Sequence, residues 1–165
     1  MNKLSLVTLS LVAYVFGSIH AAEPAAPAPA KPAEAKPAAP AFKASDFVGI
    51  WEHKDTMEQG SMTGYTVVDK DGTATAVAKF EMQGQVGWAT FAFTWKLDGD
   101  KLVQTITKVS IPILQVGQVT TDTVVSIDAK AYRYRSDKSD KITQDNRVAA
   151  LPPEFAEKLK ESAGK

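Results

Sequence analysis

From residue 44 onward the chain alternates. Hydrophobic and polar side chains trade places at every second position in one segment after another, which is the period of a half-buried β-strand. In residues 88–97, Ala89, Phe91, Phe93, Trp95 and Leu97 share one face, and the alternate positions are mostly Thr, Ala and Lys. Residues 73–82 repeat the pattern, with Ala74, Ala76, Ala78, Phe80 and Met82 opposite Thr73, Thr75, Val77, Lys79 and Glu81. Further strands are expected at 48–54, 63–68, 101–109, 119–127 and 130–136, all dominated by β-branched and aromatic residues.

Short polar turns separate these runs. Asp71-Gly72 and Asp98-Gly99 stand between alternating segments, a strong hairpin signal because glycine tolerates positive φ. Asp128-Ala129-Lys130 is a weaker connection of the same kind. Consecutive strands therefore pair with their sequence neighbours in an all-β, antiparallel up-and-down meander. Seven or eight strands leave no room for crossover helices, and a meander of that length closes into a small barrel or folds into a sandwich to remove its edges. Residues 110–117 break the period: Pro112 cannot donate to a central ladder, so this apolar stretch is an edge strand or a loop that packs on the barrel end, gates a cavity or meets a partner. After Leu151-Pro152-Pro153 the period changes to that of a short C-terminal α-helix, with Phe155, Ala156 and Leu159 on one stripe, acidic residues early and lysines late.

The N-terminal part has different physics. Lys3 precedes an apolar run over 4–16 and a small-residue end at Ala21-Ala22, the layout of a secretory signal peptide; the alternative is an uncleaved N-terminal anchor. The run is shorter than the roughly 18 apolar residues of a membrane span, so no stable span is expected after cleavage. Residues 21–41 contain eleven Ala, six Pro, two Lys and two Glu, a composition that buries nothing and favours a semi-rigid, polyproline-like spacer. The expected organisation is a signal peptide at 1–22, an Ala/Pro/Lys-rich disordered tether at 23–42, a β-barrel domain at 43–150, and a C-terminal helix and tail at 151–165. The product would be exported to the periplasm or secreted.

Composition then narrows the chemistry. Lys and Arg number 19 against 19 Asp and Glu, and there is no Cys. A balanced charge gives no electrostatic footprint for nucleic acid, and the missing Cys excludes disulfides, thiolate metal sites and a lipoprotein anchor. Tyr132-Arg133-Tyr134-Arg135 interleaves rings and cations, but on a strand the tyrosines and arginines face opposite ways. His53 is the one imidazole outside the signal segment, and no His-rich spacing surrounds it. Met62 stands where a G-x-S-x-G elbow would place Ser, and Asp69-x-Asp71-Gly72 lacks the bidentate Glu of a calcium loop. No metal, no cofactor and no catalytic residue is expected, and the chain reads as a non-enzyme.

Gly49-Ile50-Trp51, preceded by Ala44-Ser45-Asp46-Phe47 and followed by a meander that ends in a helix, resembles the G-x-W signature of lipocalin-like, calycin-type β-barrel domains, especially those of bacterial exported proteins. Thr121-Asp122-Thr123 partly resembles the T-D-Y motif of that family, with Thr in place of Tyr. The resemblance implies that Gly49 and Trp51 mark the closed end of a barrel and that a late arginine, Arg133 or Arg135, lies against the tryptophan. Small Ala side chains opposite aromatics, and the tether, leave two functions open. One is a binding module whose small apolar ligand sits among Ala76, Ala78, Phe80, Phe91, Phe93 and Trp95. The alternative is a cell-envelope interaction or structural protein, with a side-chain-filled barrel positioned by the tether against an envelope partner.

Overall fold

Eight antiparallel strands close into one barrel in the computed structural model, which describes residues 42–112 and 114–163. The expected signal peptide, and the tether apart from Phe42, lie outside the described residues. A one-turn helix, α1 (Ala44–Phe47), leads into β1 (Gly49–Met57), β2 (Gly60–Val68), β3 (Thr73–Met82), β4 (Gln85–Asp98), β5 (Lys101–Val109), β6 (Val119–Ile127), β7 (Ala131–Ser136) and β8 (Ile142–Val148). Helix α2 (Pro153–Ala163) follows. Each strand pairs with its sequence neighbour, and β8 returns to β1, so no edge is left open.

The two Asp-Gly hairpins form as the sequence predicts. Gly72 and Gly99 both take positive φ there, and Asp71 accepts the Thr73 backbone N–H at 2.9 Å. Four strands differ from expectation. Strand β1 runs three residues past the expected end, β2 and β4 each begin three residues earlier than expected, and β8 has no counterpart among the expected strands. Residues 142–148, ITQDNRV, alternate as a strand should, but both of their faces are polar, so hydrophobic periodicity passes over them.

Every strand turns one face to the barrel interior, and β2–β4 are also covered on the outside by a helix. Inside, Trp51, Ala74, Trp95, Leu102, Val124 and Tyr132 form a core with Phe47, which α1 inserts at the end where β1 begins. The Phe47 ring meets Tyr132 edge-on at 5.4 Å and Trp95 at 6.2 Å, so α1 acts as the stopper of that end. Outside, α2 lies on β3 and β4. Phe155 contacts Tyr65 and Trp88 at 4.5 and 5.1 Å between ring centres. Beneath it Val77, on what the sequence marks as the polar face of β3, is 0 % exposed.

Pro153 suits the first turn of α2, where its missing N–H leaves no bond unmade. The far end of the helix is held by Lys108, which donates to the Ser162 carbonyl at 2.8 Å. Phe155 is 3 % exposed and is the main anchor of the helix. Phe155→Ala should therefore cost about 3 kcal/mol, the low end for a buried aromatic, because α2 can settle partway into the gap. A urea melt of the variant checks this, and a loss below about 1 kcal/mol would show that α2 is not part of the cooperative unit.

Candidate functional site

The stopper end explains the G-x-W segment physically. Gly49 sits at φ 139°, a backbone region that side chains disfavour, and a Cβ there would collide with the guanidinium of Arg147. That guanidinium lies 4.2 Å from the centre of the Trp51 ring and donates to the carbonyls of Val48 and Asp46, each at 2.6 Å. The indole N–H of Trp51 donates to the Phe47 carbonyl at 2.7 Å. Together Arg147 and Trp51 satisfy the carbonyls at the C-terminal end of α1, which no glycine cap serves.

The arginine against the tryptophan is thus Arg147. Arg133 and Arg135 are exposed on the outer face of β7, where Arg133 donates to Gln144 at 2.7 Å. Their neighbours Tyr132 and Tyr134 line the interior, as the alternation of a strand requires.

Above the stopper the barrel is not filled by side chains. A cavity of about 690 Å³ extends from Phe47 and Trp51 to Asp55, Ser136, Lys141 and Ile142 at the opposite mouth. Of the six residues expected to line a ligand cavity, Phe93 and Trp95 do so. Ala76, Ala78, Phe80 and Phe91 share the register face of Ala74 and Phe93, since Ala74 pairs with Phe93 and Ala76 with Phe91, but they stand outside the lining of this cavity. The free volume lies instead on the side of β1 and β5–β8.

That side is polar, and its residues carry no hydrophobic contrast for the sequence to display. His53 on β1 and Asp145 on β8 are joined through Nδ1 and Oδ1 at 2.7 Å. Asp122 on β6 accepts from Gln104 on β5 at 3.0 Å. Tyr132 and Tyr134, stacked with ring centres 4.7 Å apart, complete the wall. The hydroxyl of Tyr132 is buried without a hydrogen-bond partner. The inward faces of β1 and β5–β8 bring these groups together, and the pairing of β8 with β1 sets Asp145 beside His53.

The electrostatics reflect burial among like charges. Asp122 is pushed up to about 6, first by loss of water and then by the carboxylates of Asp137 and Asp145, against a smaller opposing effect of the Gln104 bond. Burial likewise raises Asp145, and its bond to His53 offsets this only in part. His53 is raised by that same bond, against the opposing effect of burial. Tyr132 and Tyr134 are both raised by burial and by the neighbouring acids, so their hydroxyls stay protonated. The cavity therefore offers an aromatic floor, protonated phenols, and a carboxylate that titrates just below neutrality.

Among the described residues no group of three His, Cys, Asp or Glu side chains is placed to hold a metal ion. No protein-family model matches the chain, and no curated protein matches it.

The sign of the Asp122 shift gives a prediction. Its folded value lies above the ordinary carboxylate value near 3.9, so its ionisation opposes folding above pH 6, and the penalty disappears as the pH falls from about 6 to 4. Asp122→Asn, which keeps an acceptor for Gln104, should stabilise the protein at pH 7.5 by on the order of 2 kcal/mol and have little effect near pH 4. Thermal melts at the two pH values measure this, and an Asn variant less stable than its parent at pH 7.5 would contradict it.

Proposed function

We propose that this protein is an exported, non-catalytic binding module that encloses one small ligand, largely apolar in body, inside its barrel. The observation that carries the reading is the 690 Å³ cavity floored by Phe47, Trp51, Trp95 and Tyr132. That volume is in the range of small-molecule sites, and an eight-stranded barrel is just wide enough to hold one such ligand. The aromatic floor supplies the apolar contact, and the polar groups on β5–β8 orient the molecule.

Two further features support this reading. The Gly49-Ile50-Trp51 segment and the closed meander are in keeping with a lipocalin-like barrel, a fold suited to enclosing small lipophiles. Residues 1–22 have the layout of an export signal, and the chain carries no Cys that would tie it to a lipid. The His53–Asp145 bond spans β1 and β8 where the backbone ladder between them has ended, which makes it a latch across the barrel seam. A latch of that kind accounts for the pair without assigning it to catalysis.

The three tryptophans make the reading testable. Trp51 and Trp95 line the cavity, while Trp88 lies outside under α2. In a Trp88→Phe variant, titration with fatty acids, aryl alcohols and alkylamines should change the emission, because the two remaining tryptophans both face the ligand. Thr120→Phe, which fills cavity space, should weaken that binding about tenfold or more while leaving the far-UV circular dichroism of the barrel intact. An emission spectrum that no member of the panel alters would refute enclosure.

A further inference from the structure

Resting on the reading of this cavity as a ligand site, we propose that its ligand is a protonated organic amine, the ammonium group seated at Asp122 beside Asp145 and Tyr132, the body on the aromatic floor. The charge balance around Asp122 motivates the assignment. His53 on β1 is engaged by Asp145, and Lys141 at the mouth lies 3.5 Å from Asp55. Lys54 pairs with Glu52, and Lys101 on β5 donates to Thr123. The remaining titratable groups that bear on Asp122 are Asp137 after β7, Asp145 on β8 and the two tyrosines of β7. Among the described residues Asp122 thus has a neutral donor, Gln104, and no cationic partner.

The second observation is independent of charge. Tyr132 is 6 % exposed, lines the cavity, and has a buried hydroxyl without a hydrogen-bond partner. An unpaired buried hydroxyl costs stability in the empty protein, and an ammonium seated beside it would give the phenol oxygen an N–H to accept. Protonated amines also gain from contact with aromatic rings, and Trp95 and Tyr134 line the same cavity. A carboxylate or phosphate ligand would meet repulsion from Asp122 and Asp145, and a bare metal ion would find too few ligands. The chemistry is that of an aryl- or alkylamine.

Three probes that share one body separate the charge from the enclosure: 4-phenylbutylamine, 4-phenylbutan-1-ol and 4-phenylbutyrate, with primary alkylamines of increasing length as a size series. By isothermal titration of the full chain at pH 7.5, the amine should bind about tenfold tighter than the alcohol, and the carboxylate weakest. Asp122→Asn should bring amine and alcohol to within about twofold, and Tyr132→Phe should weaken the amine severalfold, with thermal melts confirming that each variant is folded. Lowering the pH from 7.5 to 5 protonates Asp122 and should weaken the amine far more than the alcohol. Alcohol binding with no preference for the amine, or a preference that survives Asp122→Asn, overturns the amine assignment and leaves the binding module standing. Failure of all three probes and of the whole amine series overturns both.

Discussion

Three residue pairs join β8 to β1, whereas nine join β1 to β2, so the seam that closes the barrel is the shortest ladder in it. Arg147 makes up the deficit. From the seam its guanidinium covers the Trp51 ring and takes two carbonyls at the end of α1, tying three elements with one side chain. A planar, always charged fork suits this task, and an ammonium would not reproduce its geometry. Higher up, the His53–Asp145 bond holds the same two strands where the backbone ladder has stopped. Because the seam is closed by side chains, a continuous interior exists, and Phe47 can seal one end of it.

The same strands serve two cores. Their inner positions carry the aromatic floor and the stopper, and their outer positions on β2–β4 are covered by α2 through Tyr65, Val77 and Trp88. Support from outside relieves the interior of having to be solid. The small side chains Ala74, Ala78 and Ala89 are buried on one wall, and the opposite wall keeps open space edged by Asp122, Asp145, Tyr132 and Tyr134. Holding Asp122 as an uncompensated carboxylate and Tyr132 without a partner works against stability. Binding sites commonly keep such groups, because the ligand supplies what the fold does not.

Much of this architecture was legible in the alternation of polar and apolar residues. Strands β3 and β4 announce their faces through Ala74, Ala76, Ala78, Phe91, Phe93 and Trp95, and the Asp-Gly turns announce their pairing. Strand β8 was not legible, since Thr143, Asp145 and Arg147 point inward without being hydrophobic, and periodicity detects only apolar contrast. The polar residues of the site, His53, Asp122 and Asp145, fall within that blind spot. Arg133 and Arg135 sit in a motif-like Tyr-Arg alternation and face outward, while Arg147, in a polar stretch without any motif, is the one that covers Trp51.

The sequence alone determined the class of fold, the hairpin order and the helical end, because each depends on local periods and turn residues spanning a few positions. Tertiary structure alone decided where the volume lies and what lines it. Asp122, Asp145, His53 and Tyr132 come from four strands, two of them adjacent only because the barrel closes; burial raises the acids and the phenol, while His53 is raised by its bond to Asp145 against burial. Burial and the proximity of charges are properties of the closed sheet, and no short run of the chain contains them.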